Sequence, residues 1–208
     1  MLEQRTPEWF AARAGAFTAS RMADLMAKTK SGPSASRKNM ITTLAVERIT
    51  GTCVETYTNA AMQRGVDLER EALDAYAFET GVAVISEAFI KHPTISRVGC
   101  SPDGLVNDDG LVEIKCPSAM AKHLEALTNG SHAVEYRWQL QHQLFVTGRE
   151  WVDAVSYDPR FPSGLQLAVK RIFKDAEDQE AIAAEIAAAD SEIEAIVAAL
   201  KEIGDRAQ

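Results

Sequence analysis

The stretch that decides the fold is "CSPDGLVNDDGLVEIKCP", residues 100–117. Two apolar runs, "GLV" and "GLVEIK", flank the turn sequence "NDDG", which is typical of two antiparallel strands joined by a hairpin. Successive side chains of a strand point to opposite faces, so Glu113 and Lys115 share one face while Ile114 points into the core. Asp103 lies just before the first strand and can come level with Glu113. The pattern therefore predicts two acids and a lysine at one place.

Such a set of side chains has two interpretations. Two carboxylates that are held together repel each other unless a cation lies between them, and Mg²⁺ prefers oxygen ligands. A lysine beside that ion could orient a water nucleophile or stabilise charge on a phosphate, which indicates phosphodiester hydrolysis. The alternative is a solvated hairpin, because an exposed Glu-x-Lys is common on strands. The apolar neighbours Val112 and Ile114 favour the metal site.

Length and charge limit the function classes. The chain has 208 residues, enough for a substantial core, and we expect residues 1–208 to form a single domain. The formal charge of −8, from 30 acidic against 22 basic residues, argues against a protein that coats nucleic acid through bulk charge. It does not exclude a local basic groove.

Cysteine usage and apolar runs indicate the compartment. Cys53, Cys100 and Cys116 are too far apart for a disulfide framework or a CxxC metal site, so a reducing cytoplasm fits best. They also cannot supply the four ligands of an iron–sulfur nuclease. No apolar run has the length of a signal peptide core or a membrane span, and we expect a soluble intracellular protein.

Periodicity and turn residues predict the remaining elements. Thr6 and Pro7 favour a helix start, and Ser20 favours the start of a second helix. Residues 28–40 are Gly/Ser/Pro-rich and basic, and predict a mobile loop that either follows a DNA backbone or is simply surface. Helices are expected at 40–50, 64–81, 119–130, 132–148 and 175–203, and further strands at 150–159 and 165–173.

The order of these elements predicts the fold class. Helices come first, then a mixed sheet, a helix pair, two more strands and a long C-terminal helix, which is typical of an α/β or α+β domain. The C-terminal helix carries an apolar stripe that could pack on its own domain or on a neighbour. The stripe consists of Ile182, Ile186, Ile193, Ile196, Leu200 and Ile203.

The hairpin is similar to the PD-(D/E)xK nuclease signature, with Pro102 and Asp103 as the PD and residues 113–115 as the ExK. The stretch "WFAARAGAFTAS" resembles W-x₃-R-x-G-x-x-T-A-S, "RGVDLE" resembles a G-x₃-E helix, "QLQ" a Q-x-Q helix, and "YDPR" a following strand end. Together these motifs resemble the phage lambda exonuclease and YqaJ-type viral recombinase family over nearly the whole chain. The resemblance implies a restriction-endonuclease-like core, a central mixed sheet flanked by helices.

The resemblance also implies roles in catalysis. Asp103 and Glu113 would be metal ligands, joined by the backbone carbonyl of Ile114, and Lys115 would be the catalytic lysine. Glu69 would help to hold a second metal or its waters; its alternative is an ordinary helix-surface acid. Two Mg²⁺ ions are expected, with Mn²⁺ as a substitute.

A second implied group of residues would bind the 5′-phosphate of a DNA end. It comprises Arg13, Ser20 and Gln141, assisted by Thr18. A guanidinium grips phosphate in a bidentate way, and hydroxyl and amide donors complete such a pocket. The alternatives are a surface arginine for Arg13, a helix cap for Ser20 and a buried polar group for Gln141. Met62 matches a DNA wedge position, with core packing as the alternative.

The implied activity is 5′-to-3′ exodeoxyribonuclease action on linear double-stranded DNA, leaving a 3′ overhang for recombination by strand annealing. The implied partners are DNA ends, a single-strand annealing protein and further copies of the chain in a ring trimer. The implied setting is a bacterial cytoplasm, with a phage or prophage origin and no membrane. Two alternatives stay open: an endonuclease or repair nuclease of the same fold, and a non-catalytic DNA-end-binding protein.

Overall fold

The computed structural model describes residues 2–30, 32–54 and 60–206, except for the side chains of residues 61 and 62. The helices are α1 (Pro7–Arg13), α2 (Met22–Met26), α3 (Ala35–Thr50), α4 (Ala60–Thr80), α5 (Met120–Asn129), α6 (Ser131–Glu135), α7 (Arg137–Thr147) and α8 (Ala176–Arg206). The strands are β1 (Phe17–Thr18), β2 (Lys28–Thr29), β3 (Gly32–Pro33), β4 (Val84–Ile85), β5 (Ile90–Lys91), β6 (Val98–Cys100), β7 (Gly104–Val106), β8 (Gly110–Lys115), β9 (Trp151–Tyr157) and β10 (Leu167–Phe173).

A five-stranded mixed sheet forms the centre, in the order β10-β9-β8-β7-β4. Strands β8 and β9 are parallel, and the other neighbours in this sheet are antiparallel. The predicted hairpin is present as β7 and β8, with Gly104 opposite Val112. Gly104 is required there, because a Cβ at this position would lie 2.1 Å from Cγ1 of Val84. A smaller sheet has the order β1-β6-β5.

Helices cover both faces of the central sheet, and strand alternation decides which side chains meet them. Val112 and Ile114 pack with Ala72 and Tyr76 of α4 on one face. Leu111, one residue away, packs on the other face with apolar side chains of α6 and α7, among them Ala133, Leu140 and Leu144. Glu113 shares the α7 face, because its side chain alternates with those of its neighbours. The mixed sheet flanked by helices is the predicted fold class.

The predicted loop at 28–40 is wrong for its second half. Strands β2 and β3 pair as a short ribbon, and α3 already begins at Ala35. The Ser34 side chain caps α3 by accepting a hydrogen bond from the Arg37 N–H at 3.1 Å. Arg37 is buried and ion-paired with Glu185 at 2.6 Å and Glu192 at 2.8 Å, so its charge is used within the fold and not on DNA.

Two helices also differ from the prediction. The helix expected at 132–148 is broken at Tyr136, which leaves helical geometry with φ −100° and ψ 16°. In α8 the buried stripe agrees with the predicted one at Ile182, Ile186 and Ile193 and differs from it at the other three positions. It consists of Ile182, Ile186, Ala189, Ile193 and Val197, while Ile196, Leu200 and Ile203 are exposed. Ile196 lies one residue, or about 100°, away from the buried Val197, which places it on another face. No helix within the described ranges is long and apolar enough to cross a bilayer.

Candidate active site

The hairpin brings three chemically active side chains to one edge of the central sheet. Asp103 precedes β7, and Lys115 ends β8, so antiparallel pairing places both at the same end of the hairpin. Oδ2 of Asp103 accepts a hydrogen bond from the backbone N–H of Ile114 at 2.6 Å. The Lys115 Nζ donates to Oε1 of Glu113 at 2.5 Å. The two acids and the lysine predicted from the sequence are therefore neighbours.

The Glu113 carboxylate is buried and held by two glutamines of α7. Nε2 of Gln143 donates to Oε2 of Glu113 at 2.6 Å, and Nε2 of Gln139 donates to Oε1. Gln139 and Gln143 are four residues apart and so share one face of the helix. Together with Lys115 they donate hydrogen bonds to both oxygens of this buried carboxylate.

Lys115 is positioned by an aromatic ring as well as by Glu113. Its Nζ lies 4.6 Å from the ring centroid of Tyr136, the residue at which α6 and α7 separate. Burial lowers the pKa of Lys115, but the charges of Glu113 and Asp103 outweigh burial and raise the pKa above its usual value. Lys115 is thus protonated at neutral pH, which suits hydrogen-bond donation to an anion and does not suit a general base.

Asp103 is buried close to two other acids, Glu113 and Glu69. Burial raises the pKa of Asp103 well above its usual value, and the charge of Glu113, followed by that of Glu69, adds to this effect. Glu69 lies on α4 and is bound by Arg5, whose Nη2 is 2.5 Å from Oε2 of Glu69. Such mutual repulsion is the condition that a bound cation would relieve.

These residues line a cleft of about 570 Å³. Its walls also include Gly65 and Val66 of α4, Lys122 and Glu125 of α5, and His132 of α6. Among the described residues, no three acid, histidine or cysteine side chains are already gathered around one point in a way that would hold a metal ion. Instead, Glu69 is bound to Arg5, and Glu113 is bound to Lys115 and the two glutamines.

Arg13 lies near this cleft, at the end of α1. Its Nη1 donates to Oγ of Ser101 at 3.0 Å, two residues before Asp103, and its guanidinium stacks 4.0 Å from the Trp9 ring centroid. Burial, and then the charge of Arg21, lower the pKa of Arg13 to about 10, so it stays charged at neutral pH. Among the described residues it has no carboxylate within ion-pair distance.

The other residues assigned to the phosphate pocket lie in different surroundings. Ser20 is exposed, and its hydroxyl is 3.5 Å from that of the buried Thr18. Gln141 is not brought to the cleft. Its Nε2 donates to the Phe173 carbonyl at 2.8 Å, and its Oε1 accepts from the Asp175 N–H at 3.1 Å. It is therefore the buried polar group that the sequence left as the alternative.

The wedge position Met62 lies outside the side chains that the structure describes. Sequence reasoning missed Arg5, Tyr136, Gln139 and Gln143. The four-residue spacing in "QLQHQ" was the available signal for the two glutamines, because it puts them on one helix face. Arg5 carried no signal, since its partner is 64 residues away.

A mixed sheet with acids and a lysine at the end of a central hairpin defines a nuclease-like class of α/β protein. The chain matches the YqaJ-like viral recombinase domain over residues 8–150, and it belongs to that family.

Solved structures agree with this assignment. An alkaline exonuclease from Laribacter hongkongensis, LHK-Exo, is 45% identical with a TM-score of 0.88, over 98% of this chain and 100% of that chain. The LHK-Exo complex with dAMP gives the same values. A phage-related exonuclease from Haemophilus somnus 129PT is 14% identical, with a TM-score of 0.74 over 89% of this chain and 96% of that one, and shows the fold alone. A search of curated proteins found no match.

Proposed function

We propose that this protein is a Mg²⁺-dependent exodeoxyribonuclease that degrades one strand of linear duplex DNA from its 5′ end and leaves a 3′ overhang. The observation that carries the proposal is the meeting of Asp103, Glu113 and Lys115 at the end of one hairpin, inside a cleft. The 45% identity to the alkaline exonuclease LHK-Exo supports the same activity here.

The donor atoms in the cleft fit a hard divalent cation, because they are carboxylate and carbonyl oxygens. Burial, and then the charges of Glu113 and Glu69, raise the pKa of Asp103, and a bound cation would offset each of these effects. Asp103, Glu113 and the carbonyl of Ile114 would hold one ion, and Glu69 would hold a second directly or through water. Bound Mg²⁺ or Mn²⁺ would supply an activated water and neutralise charge on the phosphate.

The protein's own side chains supply orientation. Lys115, protonated and held at 2.5 Å from Glu113, is placed to donate a hydrogen bond to the attacking water or to a phosphate oxygen. Gln139 and Gln143 fix the Glu113 carboxylate so that it does not rotate away from the cleft. Preorganised groups of this kind need no rearrangement at the moment of reaction, and this is what makes them effective.

Recognition of the 5′-phosphate is assigned to Arg13, with Ser20 and Thr18 as supporting hydroxyl donors. Arg13 combines a protonated guanidinium, a stacked position on Trp9 and a location beside Ser101, close to Asp103. A planar guanidinium held in this way can donate two parallel hydrogen bonds to phosphate. The position of Gln141 in the core does not support a contact with the phosphate.

The proposed partners follow from the activity and from the family. Double-stranded DNA ends are the substrate, and a single-strand annealing protein would take up the 3′ overhang. A ring trimer would keep the enzyme on its DNA strand. In such a ring the net charge of −8 would lie mainly on the outside, and sedimentation of the purified protein would give the number of copies directly.

One gel tests the activity. Linear duplex with 5′-phosphates is incubated with and without Mg²⁺, beside a nicked circle and a closed circle. We expect Mg²⁺-dependent loss of the linear duplex and an intact closed circle. Cutting of the closed circle would favour the alternative, an endonuclease or repair nuclease of the same fold.

Two variants test the site. Lys115→Ala should lower the hydrolysis rate by at least about a hundredfold while DNA binding persists. Asp103→Ala should weaken Mn²⁺ binding measured by titration calorimetry. If wild type binds DNA ends but hydrolyses none of these substrates with either metal, the protein is the non-catalytic end-binding alternative.

A further inference from the structure

The ion pair between Arg5 and Glu69 is a contact in the cleft that the proposed chemistry does not use. Arg5 lies in the segment before α1, and its Nη2 is 2.5 Å from Oε2 of Glu69 on α4. The two side chains are partly open, with exposed fractions of 46% and 25%, and both line the cleft. The pair is therefore accessible to an ion or a ligand that enters the cleft.

The backbone at Arg5 is also unusual. Its φ is +67°, in the left-handed region that residues with a Cβ adopt at a cost. The next residue, Thr6, begins α1 by accepting a hydrogen bond from the Trp9 N–H. The turn before α1 thus directs Arg5 toward α4 and away from its own helix. Strain of this kind at a ligand site is a pointer to function.

Glu69 differs from the other acids of the proposed metal site. Asp103 and Glu113 are held by groups of the hairpin and of α7, at the centre of the fold. Glu69 is held by one arginine from a terminal segment. A second metal ion at Glu69 would meet this guanidinium, because the same carboxylate oxygen cannot serve both cations fully.

We propose that Arg5 and a divalent ion bind Glu69 in alternation, and that the released Arg5 guanidinium then binds a phosphate of the DNA strand in the cleft. This inference rests on the proposed function. The two lysines of the cleft are each ion-paired, Lys115 with Glu113 and Lys122 with Glu135. Release of Arg5 would therefore supply a guanidinium, the group best shaped for bidentate phosphate binding, only when the metals are present.

Competition between Arg5 and the metal ion for Glu69 is tested by metal binding alone, with no DNA and no activity assay. Mn²⁺ binding is titrated by calorimetry or by electron paramagnetic resonance on wild type, Arg5→Gln and the control Arg70→Gln. Arg70 is next to Glu69 in sequence but is 89% exposed and paired with Asp74. The control therefore removes an equal charge without freeing Glu69.

Arg5→Gln should bind the more weakly held Mn²⁺ ion about two- to fivefold more tightly, because a partly exposed ion pair contributes up to about 1 kcal/mol. Arg70→Gln should match wild type. Unchanged Mn²⁺ binding in Arg5→Gln, with binding still lost in Asp103→Ala, would overturn the alternation and leave the nuclease proposal standing. Absence of Mn²⁺ binding in every protein, wild type included, would overturn both.

A second measurement tests whether the released Arg5 binds a DNA phosphate. Binding of a 5′-phosphorylated duplex is followed by fluorescence anisotropy in Ca²⁺ and in EDTA, with Lys115→Ala present throughout to block hydrolysis. Adding Arg5→Gln should weaken binding about three- to tenfold in Ca²⁺ and leave it unchanged in EDTA, and Arg5→Lys should restore part of the loss. Equal weakening in both conditions would show that Arg5 contacts phosphate regardless of metal, and alternation would be refuted.

Discussion

Two buried glutamines on one helix should respond in opposite ways to the same substitution. Gln143 and Gln141 both lie in α7 and are both almost fully buried, but Gln143 faces Glu113 while Gln141 faces the start of α8. Replacing each by leucine removes the amide and keeps about the same volume. We expect Gln143→Leu to lose activity with little loss of stability, and Gln141→Leu to do the reverse.

The contacts set the magnitudes for Gln141→Leu. The side chain satisfies the Phe173 carbonyl and the Asp175 N–H, and its Oε1 also accepts from Nε2 of Gln179 at 2.9 Å. Leaving two backbone groups without partners should cost about 2–4 kcal/mol. For a chain of this length, that cost lowers the melting temperature by roughly 5–15 °C.

For Gln143→Leu, the loss and the gain in folding free energy are nearly equal. The variant loses a hydrogen bond to a carboxylate, worth about 1.5–3 kcal/mol, but it also removes the amide oxygen Oε1. That buried atom has no partner among the described residues. The two effects nearly cancel, so the free energy of unfolding should change by less than about 1 kcal/mol. Because Glu113 loses one of the donors that hold it, the hydrolysis rate should fall about ten- to a hundredfold.

Thermal unfolding curves are recorded for both variants. Their hydrolysis rates on a linear 5′-phosphorylated duplex are then measured at a temperature where both are folded. The rates are also compared on 5′-hydroxyl ends. Full activity in Gln143→Leu would contradict the role of the glutamine in fixing Glu113. Loss of the phosphate preference in a folded Gln141→Leu would restore the pocket role that the family resemblance implies.

Three further predictions concern Arg13, Tyr136 and His142. Arg13→Ala should erase the preference of the enzyme for 5′-phosphorylated over 5′-hydroxyl ends, and equal wild-type rates on both ends would contradict the assignment. Tyr136→Leu should lower kcat about two- to thirtyfold through loss of the 4.6 Å contact with Lys115, while Tyr136→Phe should keep it, as single-turnover rates will show. Burial, and then the charge of His92, lower the pKa of His142 from 6.5 to about 3, so its neutral ring contributes stability that is lost as pH falls below about 6.5. Between pH 7 and pH 5 the unfolding free energy of wild type should therefore fall by about 2 kcal/mol relative to that of His142→Leu. Urea unfolding at the two pH values measures both proteins, and an equal change in the two would refute this.

The elements that the sequence predicted well are those decided by local patterns. The hairpin at 104–115 follows from strand alternation around "NDDG", and the ends of α4, α5 and α7 fall just before Gly81, Gly130 and Gly148. These three glycines have φ near +70°, which favours glycine at a helix end. Local chemistry fixes such features, so they are readable before any tertiary contact is known.

The features that were predicted incorrectly depend on contacts between residues far apart in the sequence. The composition of the basic stretch at 28–40 predicts a loop, but Arg37 is held by two acids of α8 that are 148 and 155 residues away. Gln141 matched a motif, but α7 turns it to the face opposite that of Gln139 and Gln143. The spacing of Asp103, Glu113 and Lys115 was informative because all three lie on one hairpin. The partner of Glu69 could not be predicted, because Arg5 lies 64 residues away in the sequence, before α1.

The charges that line the cleft indicate how an acidic protein would bind DNA. The lining residues include five acids and three bases, so with ionised acids the cleft itself is negative. A phosphate backbone would be repelled from such a surface. Two divalent ions would reverse the sign of the cleft, and release of Arg5 would place the new positive charge where phosphate enters. In this scheme the metals are needed for substrate binding as well as for hydrolysis, and DNA affinity would rise with metal concentration even where Lys115 is absent.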